Sequence, residues 1–188
     1  YKEWRGTARY KIENTTINAI SSDYEDSSTA LRSITFSVQK DTTNYPYNPT
    51  SGRNDSLSIE FAGGLLGGDA NFTKYNFDFR RYYGGFKEDQ SWALRLKGGA
   101  STGILPLSER YNLGGSDSLR GYSLYSFTGD HSLLTQVEYR MQFMDNLTGV
   151  LFIDGGQTWD KDETIVIDDL NYGYGLGVRI NTAIGQIR

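Results

Sequence analysis

The chain has 188 residues, 37% of them hydrophobic, with 22 glycines and only 3 prolines, which excludes collagen-like and low-complexity chains and predicts a single domain over residues 1–188. It has no cysteine, so disulfides and thiolate metal sites are excluded. The net charge of −4 is spread along the chain without a basic cluster, so nucleic acid is not an expected partner.

The sequence contains no apolar stretch of about 18 residues, so a transmembrane helix is not expected. No cleavable signal with a basic start and an apolar core is visible either. A membrane-spanning β-strand needs only about 9–11 residues of alternating character, so the low mean hydropathy of −0.54 is compatible with a barrel in a membrane.

Apolar and polar residues alternate along most of the chain, which is the pattern of half-buried β-strands. In the first segment, for example, Tyr10 and Ile12 share one face while Arg9 and Lys11 share the other. No credible helix separates the segments, and without long crossovers neighbouring strands must be antiparallel. About eight strands are predicted. They cover residues 7–13, 33–39, 56–63, 74–82, 91–99, 133–143, 148–159 and 172–181.

The connections between these strands differ in length by side. Long ones follow the first, fifth and seventh strands, at residues 14–30, 100–131 and 160–171, and a shorter one, "GGLLGGDAN", follows the third. On the other side lie "MDN" and two mid-length turns, "DTTNYPYNPTSG" and "YGGFKEDQ". Outer-membrane barrels have short periplasmic turns and longer outside loops. The lengths therefore favour such a barrel.

The polar faces of the strands carry charges of both signs among glycines and serines, as the lumen of a barrel filled with paired side chains requires. These charges are Arg9, Lys11, Glu60, Asp78, Arg80, Arg95, Lys97, Glu138, Arg140, Asp154 and Arg179. Aromatic residues near strand ends are candidates for interfacial girdles. They are Trp4, Tyr82, Tyr83, Trp92 and Trp159. The prediction is an all-β fold, an antiparallel transmembrane β-barrel; a soluble sandwich or lipocalin-like barrel is the alternative.

Four motifs in order carry a family resemblance: "LPLSERYNLGGSDSLRGY", "LTQVEYRMQF", "GVLFIDGGQTW" and "YGYGLGVRINTAIGQIR". The upstream "QKDTTNYPYNPTSGRNDSLSIEFAGG" resembles a periplasmic turn of the same family, with its Pro-Thr-Ser-Gly element. Together they resemble the C-terminal part of the barrel in the BamA-type outer-membrane assembly and two-partner-secretion transporter superfamily. The resemblance covers nearly the whole chain. One departure is Leu119, which stands where the family usually has valine.

The resemblance implies that the long loop at 100–131 folds into the barrel and that its arginine contacts acidic residues of the inner wall. By position, the loop motif is Leu119, Arg120, Gly121 and Tyr122, and the wall acids are Glu138 and Asp154. Both acids also fall on the polar face by alternation. Arginine suits this role because its planar fork can bond both oxygens of a carboxylate.

The family barrel has about sixteen strands, so about eight strands correspond to half of it. The resemblance implies either a piece of a longer protein or a short relative whose strands close alone or pair with a second copy as a homo-dimer. An eight-stranded barrel has an interior just wide enough for side chains. A wider or open assembly is therefore favoured, because the loop also needs space.

The function implied by the resemblance is non-enzymatic and needs no cofactor: insertion or translocation of β-rich clients. The expected partners are outer-membrane lipids and unfolded β-barrel or secreted client proteins. The expected location is the bacterial outer membrane or the equivalent organellar outer envelope. Two alternatives remain open, a barrel that anchors a membrane-tethered hydrolase and a soluble β-sheet binding protein.

Other candidate chemistry in the sequence is weak. His131 is the only histidine and is expected in a loop, and no serine sits in a nucleophile elbow. The acidic residues between Asp160 and Asp169 lack a recognised calcium-ligand spacing, so no metal is expected. The glycine pairs at 63–64 and 67–68 lack the lysine of a phosphate loop and predict a hairpin connection.

Overall fold

A computed structural model describes residues 3–17, 27–46, 48–182 and 185–187. Eight long strands dominate it: β1 Trp4–Ile17, β2 Ser27–Asp41, β3 Gly52–Ala62, β4 Asn71–Gly84, β5 Gln90–Ile104, β8 His131–Met144, β9 Leu147–Trp159 and β10 Asn171–Thr182. Three short strands complete the set: β6 Tyr111–Leu113, β7 Phe127–Gly129 and β11 Gly185–Ile187. The described helices are single 3-10 turns at Gly64–Leu66, Leu107–Glu109 and Ile167–Asp169. None of the described helices is long and apolar enough to cross a bilayer.

The long strands form one antiparallel sheet in the order β1-β2-β3-β4-β5-β8-β9-β10-β11. Each long strand pairs with its neighbour in the chain, except that β5 pairs with β8. Strands β6 and β7 form a separate hairpin inside the connection between β5 and β8. The prediction of about eight antiparallel strands is confirmed, with β11 added as the start of a ninth. Within the described residues, β1 and β11 do not pair with each other, so the sheet is open.

The two faces of the sheet differ as the alternation predicts. On β10, Tyr174 and Leu176 are 85% and 79% exposed. Arg179, which points to the opposite face of the same strand, is only 6% exposed. We call the face that carries Tyr174 the outer face and the face that carries Arg179 the inner face. A large, exposed apolar face on every long strand is the surface that a barrel presents to lipid.

The inner face is covered by the connection between β5 and β8. Leu119 is fully buried there with Leu113 and Leu134, and Tyr122 and Phe127 pack against them. The connection spans residues 105–130, shorter than the expected 100–131, because β5 continues to Ile104 and β8 begins at 131.

Three sequence-based expectations change in the structure. Tyr82 was expected in an interfacial girdle, but its ring lies 5.5 Å from the Arg140 guanidinium, on the inner face. Trp159, another expected girdle residue, is only 4% exposed. His131, expected in a loop, is the first residue of β8. Trp4 and Tyr83 are 60% and 52% exposed, as a girdle requires.

Candidate functional site

The loop at 105–130 turns sharply just before its arginine. Gly114 and Gly115 have φ angles of 110° and 93°, a region that favours glycine. The Gly114 N–H donates to the Ser118 hydroxyl oxygen at 2.9 Å, and that hydroxyl donates to the Gly114 carbonyl oxygen at 2.8 Å. Leu119 then enters the buried cluster with Leu113 and Leu134. This packing directs the next side chain, Arg120, at the wall formed by β8 and β9.

The Arg120 guanidinium forms a bidentate ion pair with the carboxylate of Asp154 on β9. Its Nε lies 2.6 Å from Oδ2 of Asp154 and its Nη2 lies 2.6 Å from Oδ1. The backbone N–H of Arg120 donates to the same Oδ2 at 3.1 Å. Asp154 is fully buried, so this bidentate pair is shielded from water.

The remaining guanidinium nitrogen of Arg120, Nη1, contacts Glu138 on the neighbouring strand β8. Its Nη1 lies 2.7 Å from Oε1 of Glu138, and its guanidinium stacks over the Phe152 ring at 3.8 Å. Burial by itself would lower the pKa of Arg120, but the hydrogen bond with Asp154 and the charges of Glu138 and Asp154 raise it. The guanidinium therefore stays charged in the lumen.

Glu138 is shared by three arginines. Arg140 donates to its Oε2 from Nε at 2.9 Å and from Nη2 at 2.7 Å, and Arg179 donates from Nη2 to both of its oxygens at 2.7 Å. We call Arg120, Glu138, Arg140, Asp154 and Arg179 the arginine cluster. Alternation placed Arg140 and Arg179 on the polar face, but it gave no sign that both converge on Glu138.

The remaining motif residues fix the backbone beside the arginine. Gly121 has a φ of 94°, and an ideal Cβ added to Gly173 would lie 1.9 Å from the Arg120 carbonyl oxygen. No side chain fits at Gly173 while the loop is docked. The Tyr122 hydroxyl donates to the carbonyl oxygen of Tyr172 at 3.2 Å. The loop backbone therefore lies directly on β10.

The loop has a second attachment at its start, which the sequence did not reveal. Lys11 Nζ on β1 lies 2.6 Å from Oε1 of Glu109, and Lys74 Nζ on β4 lies 3.3 Å from Oε2 and 2.6 Å from the Glu109 carbonyl oxygen. The Glu109 side chain is 10% exposed. We call Glu109, Lys11 and Lys74 the glutamate clamp. Alternation places both lysines on the polar face. Glu109 lies 98 residues from Lys11 and 35 residues from Lys74 in the chain, so the sequence did not show that they meet.

Tyr111 lies beside the glutamate clamp, with Lys74 Nζ 4.9 Å from the centre of its ring. Its hydroxyl donates to the carbonyl oxygens of Tyr75 and Ala100 at 3.1 and 3.2 Å. Its ring occupies the space beside Gly99, where an ideal Cβ would lie 2.3 Å from it. The loop is thus attached to β1, β4 and β5 at its start and to β8, β9 and β10 at its arginine.

No group of three or more His, Cys, Asp or Glu side chains is placed to hold a metal ion among the residues described. The Nδ1 atom of His131 accepts the backbone N–H of Ser101 at 3.4 Å. What the inner wall offers is a set of charged groups that hold a loop.

Comparisons with known proteins agree with this architecture. A family model described as the Omp85 superfamily domain matches residues 1–188. The outer membrane protein assembly factor BamA of Nitratidesulfovibrio vulgaris is 30% identical over 167 residues, which are 79% of this chain and 21% of the relative. The chloroplastic outer envelope protein 80 of Arabidopsis thaliana is 29% identical over 102 residues, covering 50% of this chain and 14% of the relative. The chain spans about a fifth or less of these relatives.

Two solved structures share the fold. A crystal structure of BamA from Haemophilus ducreyi lacking POTRA domains 1–3 superposes with a TM-score of 0.76 at 16% identity, covering 90% of this chain and 40% of that one. CdiB from Acinetobacter baumannii superposes with a TM-score of 0.62 at 17% identity, covering 96% and 32%. The sheet is therefore one that occurs in such barrels, where it forms less than half of the longer chain.

Proposed function

The chain belongs to the Omp85 superfamily, and from that membership we propose that it forms part of the barrel of a protein assembly or secretion transporter. It is a protein of the outer membrane, and this location removes the soluble alternative. The clients are unfolded β-barrel or secreted proteins that the barrel inserts or translocates, and the role is non-enzymatic.

The docked loop is the observation that carries this proposal. A loop of this length loses much conformational freedom when it is ordered, so favourable contacts must offset that entropy. The arginine cluster supplies them in a nearly dry setting, because the side chains of Asp154, Glu138 and Arg120 are 0%, 10% and 16% exposed. Removing one partner of such a buried pair costs roughly 3–5 kcal/mol, since the remaining charge is stranded.

The proposed role of the loop is to hold the inner wall in one arrangement. Arg120 links β8 to β9, and the backbone of the loop rests on β10 through the close approach at Gly173. The glutamate clamp ties the other end of the loop to β1 and β4. One segment therefore braces most of the sheet from inside and stabilises the barrel state that handles clients.

The strand edges fit a larger barrel. In the described part of the sheet, β1 and β11 each have one unpaired edge. We propose that the eight long strands act as half of a barrel of about sixteen, completed by further strands of the same protein or by a second copy. Exposed strand edges can also accept a client strand by β-augmentation.

The test is client assembly by the full-length protein in proteoliposomes. Arg120→Ala is expected to reduce the yield of folded, heat-modifiable client at least tenfold, because about 3 kcal/mol of docking energy is lost. Arg120→Lys keeps the charge but loses the bidentate fork, so it should restore only part of the activity. Arg9→Ala, at an exposed arginine on the inner face of β1, is the matched control. Full activity of Arg120→Ala would overturn the proposal.

A further inference from the structure

The outer face of the long strands carries few charged side chains, and most of them lie together. In the part of the chain that the structure describes, the strand register gives these outward charges as Arg32, Lys40, Arg53, Asp55 and Arg81. Arg32 stands apart, beside Gly67 in the connection between β3 and β4. The other four are grouped on β2, β3 and β4, and we call them the cationic patch. A charge that faces lipid is costly at the middle of a bilayer and costs little near its interface, so the patch is expected at the level of the lipid headgroups.

The cationic patch lies at the end of the sheet opposite the long loops. Lys40 is the penultimate residue of β2 and Arg53 is the second residue of β3, so both flank the connection at 42–51. Arg81 lies three residues before Gly84, the last residue of β4. The shorter turns of outer-membrane barrels lie on the periplasmic side. The patch is therefore placed beside the headgroups of the periplasmic leaflet.

Two arginines of the cationic patch occupy directly opposite positions. Arg53 on β3 pairs with Arg81 on β4 in the strand register. Side chains at such positions have Cβ atoms about 4.5–5.5 Å apart, and like charges there repel each other. Asp55 forms an ion pair with Arg81, whereas Nε of Arg53 lies 3.7 Å from Oδ2 of Asp55, too far for a hydrogen bond. A single carboxylate thus serves two guanidinium groups and bonds only one of them directly.

The cationic patch keeps a surplus of positive charge. Lys40 lies opposite Asp55 in the register, and its Nζ is 3.4 Å from Oε2 of Glu3 and 5.1 Å from the centre of the Trp4 ring. Among the described residues, the three cations of the patch therefore face two carboxylates, those of Asp55 and Glu3. The phosphodiester of a phospholipid carries a single negative charge, which is what this balance lacks. An arginine fork can also bond two phosphate oxygens at once.

The cations of the patch are accessible, and they are a local feature of the sheet. The side chains of Arg53 and Arg81 are 42% and 35% exposed, whereas that of Asp55 is 19% exposed. At the same end of β5 and β8, the outward side chains include Trp92 and Tyr139, whose ring centres lie 4.7 Å apart. The strands beyond β4 thus present aromatic and other uncharged side chains there, so the patch is not part of a basic belt around the described sheet.

We propose that the cationic patch binds the phosphate group of a phospholipid in the periplasmic leaflet. Arg53 and Arg81 donate to its oxygen atoms, and Asp55 keeps Arg81 in place. Leu57, the next outward residue of β3, is apolar and 48% exposed, so the site continues into the lipid-facing surface. A phosphate that carries acyl chains therefore fits better than a free phosphate ion. The inference rests on the membrane location and not on client handling, so the two can fail independently.

The experiment is native mass spectrometry of the full-length protein in detergent, titrated with phosphatidylglycerol. Diacylglycerol with the same acyl chains is the first comparison, and it should bind at least tenfold more weakly because it lacks the phosphate. Inorganic phosphate is the second comparison, and an excess of it should leave the phosphatidylglycerol bound. Equal binding of the two lipids would overturn the proposal, because only acyl chains would then be held. Displacement by inorganic phosphate would also overturn it, because the site would then take the free ion.

Variants separate this site from general attraction between cations and headgroups. Arg53→Gln removes a charge that has no close bond to Asp55, so the barrel should stay folded while phosphatidylglycerol binds about tenfold more weakly. Arg53→Lys keeps the charge but not the planar fork, so its binding should fall between those two values. The matched control is Arg32→Gln, an outward arginine of β2 outside the patch, which should leave binding unchanged. Heat-modifiability checks the fold of each variant. Unchanged binding in folded Arg53→Gln, or an equal loss in Arg32→Gln, would overturn the proposal.

Discussion

The glutamate clamp offers a test that separates the two attachments of the loop. Glu109→Gln keeps the size and shape of the side chain but removes the charge that faces Lys11 and Lys74. A hydrogen bond to a charged group contributes about 1.5–3 kcal/mol. Lys11 is 31% exposed, so solvent screens part of its share, whereas Lys74 is 13% exposed. We therefore expect a loss of roughly 2 kcal/mol in local docking energy.

That loss corresponds to a roughly 30-fold larger population of the detached segment. The assay is hydrogen exchange at the backbone amides of residues 107–113 in the full-length protein in membranes. These amides should exchange about 30-fold faster in Glu109→Gln, while those of residues 116–122 keep their protection because Arg120 has its own partners.

The matched control is Glu13→Gln. Glu13 lies 3.4 Å from the same Lys11, but its side chain is 43% exposed, so its removal should change little. Two results would refute the reasoning about the clamp. One is unchanged exchange in Glu109→Gln, and the other is an equal acceleration in Glu13→Gln.

Further predictions concern the arginine cluster. Glu138→Gln should destabilise the loop more than Asp154→Asn, because it leaves three arginines without their shared carboxylate. The temperature at which the folded, heat-modifiable barrel band disappears should therefore fall further in Glu138→Gln than in Asp154→Asn. Gly173→Ala should displace the loop and expose it to protease, since its Cβ would lie 1.9 Å from the Arg120 carbonyl oxygen. Gly177→Ala, whose nearest contact would be 3.9 Å away, is its control and should keep the native cleavage rate. Equal protease sensitivity of the two glycine variants would show that β10 does not support the loop.

The strand pattern was predictable because side chains on a strand alternate between two faces. That rule alone put Glu138 and Asp154 on the inner face, and the register, with Gln136 opposite Asp154, makes them neighbours. The family and the β-barrel class are confirmed. The outer-membrane location is confirmed through the relatives found in the outer membrane and in the chloroplast outer envelope. The short hairpin of β6 and β7 was not predicted, because strands of three residues carry no periodic signal.

The site was predictable only in part. Arg120 was identified through the resemblance, and its functional role stays a prediction. Glu109 lies within the motif "LPLSERYNL", but its neighbours in the sequence do not distinguish it from an exposed acidic residue of a loop. Its partners Lys11 and Lys74 are fixed by how the loop crosses the sheet, and this is a tertiary property. The convergence of Arg140 and Arg179 on Glu138 has the same origin.

The central claim is that Arg120 and Asp154 act as one interaction that docks the loop. A double-mutant cycle tests it most directly, with Arg120→Ala, Asp154→Ala and the double variant compared by hydrogen exchange of residues 116–122 in the full-length protein in membranes. The two side chains share two hydrogen bonds, so the double variant should lose little more protection than Arg120→Ala alone, with a coupling energy of at least about 2 kcal/mol. Additive losses, or protection that is unchanged in all three variants, would contradict the claim.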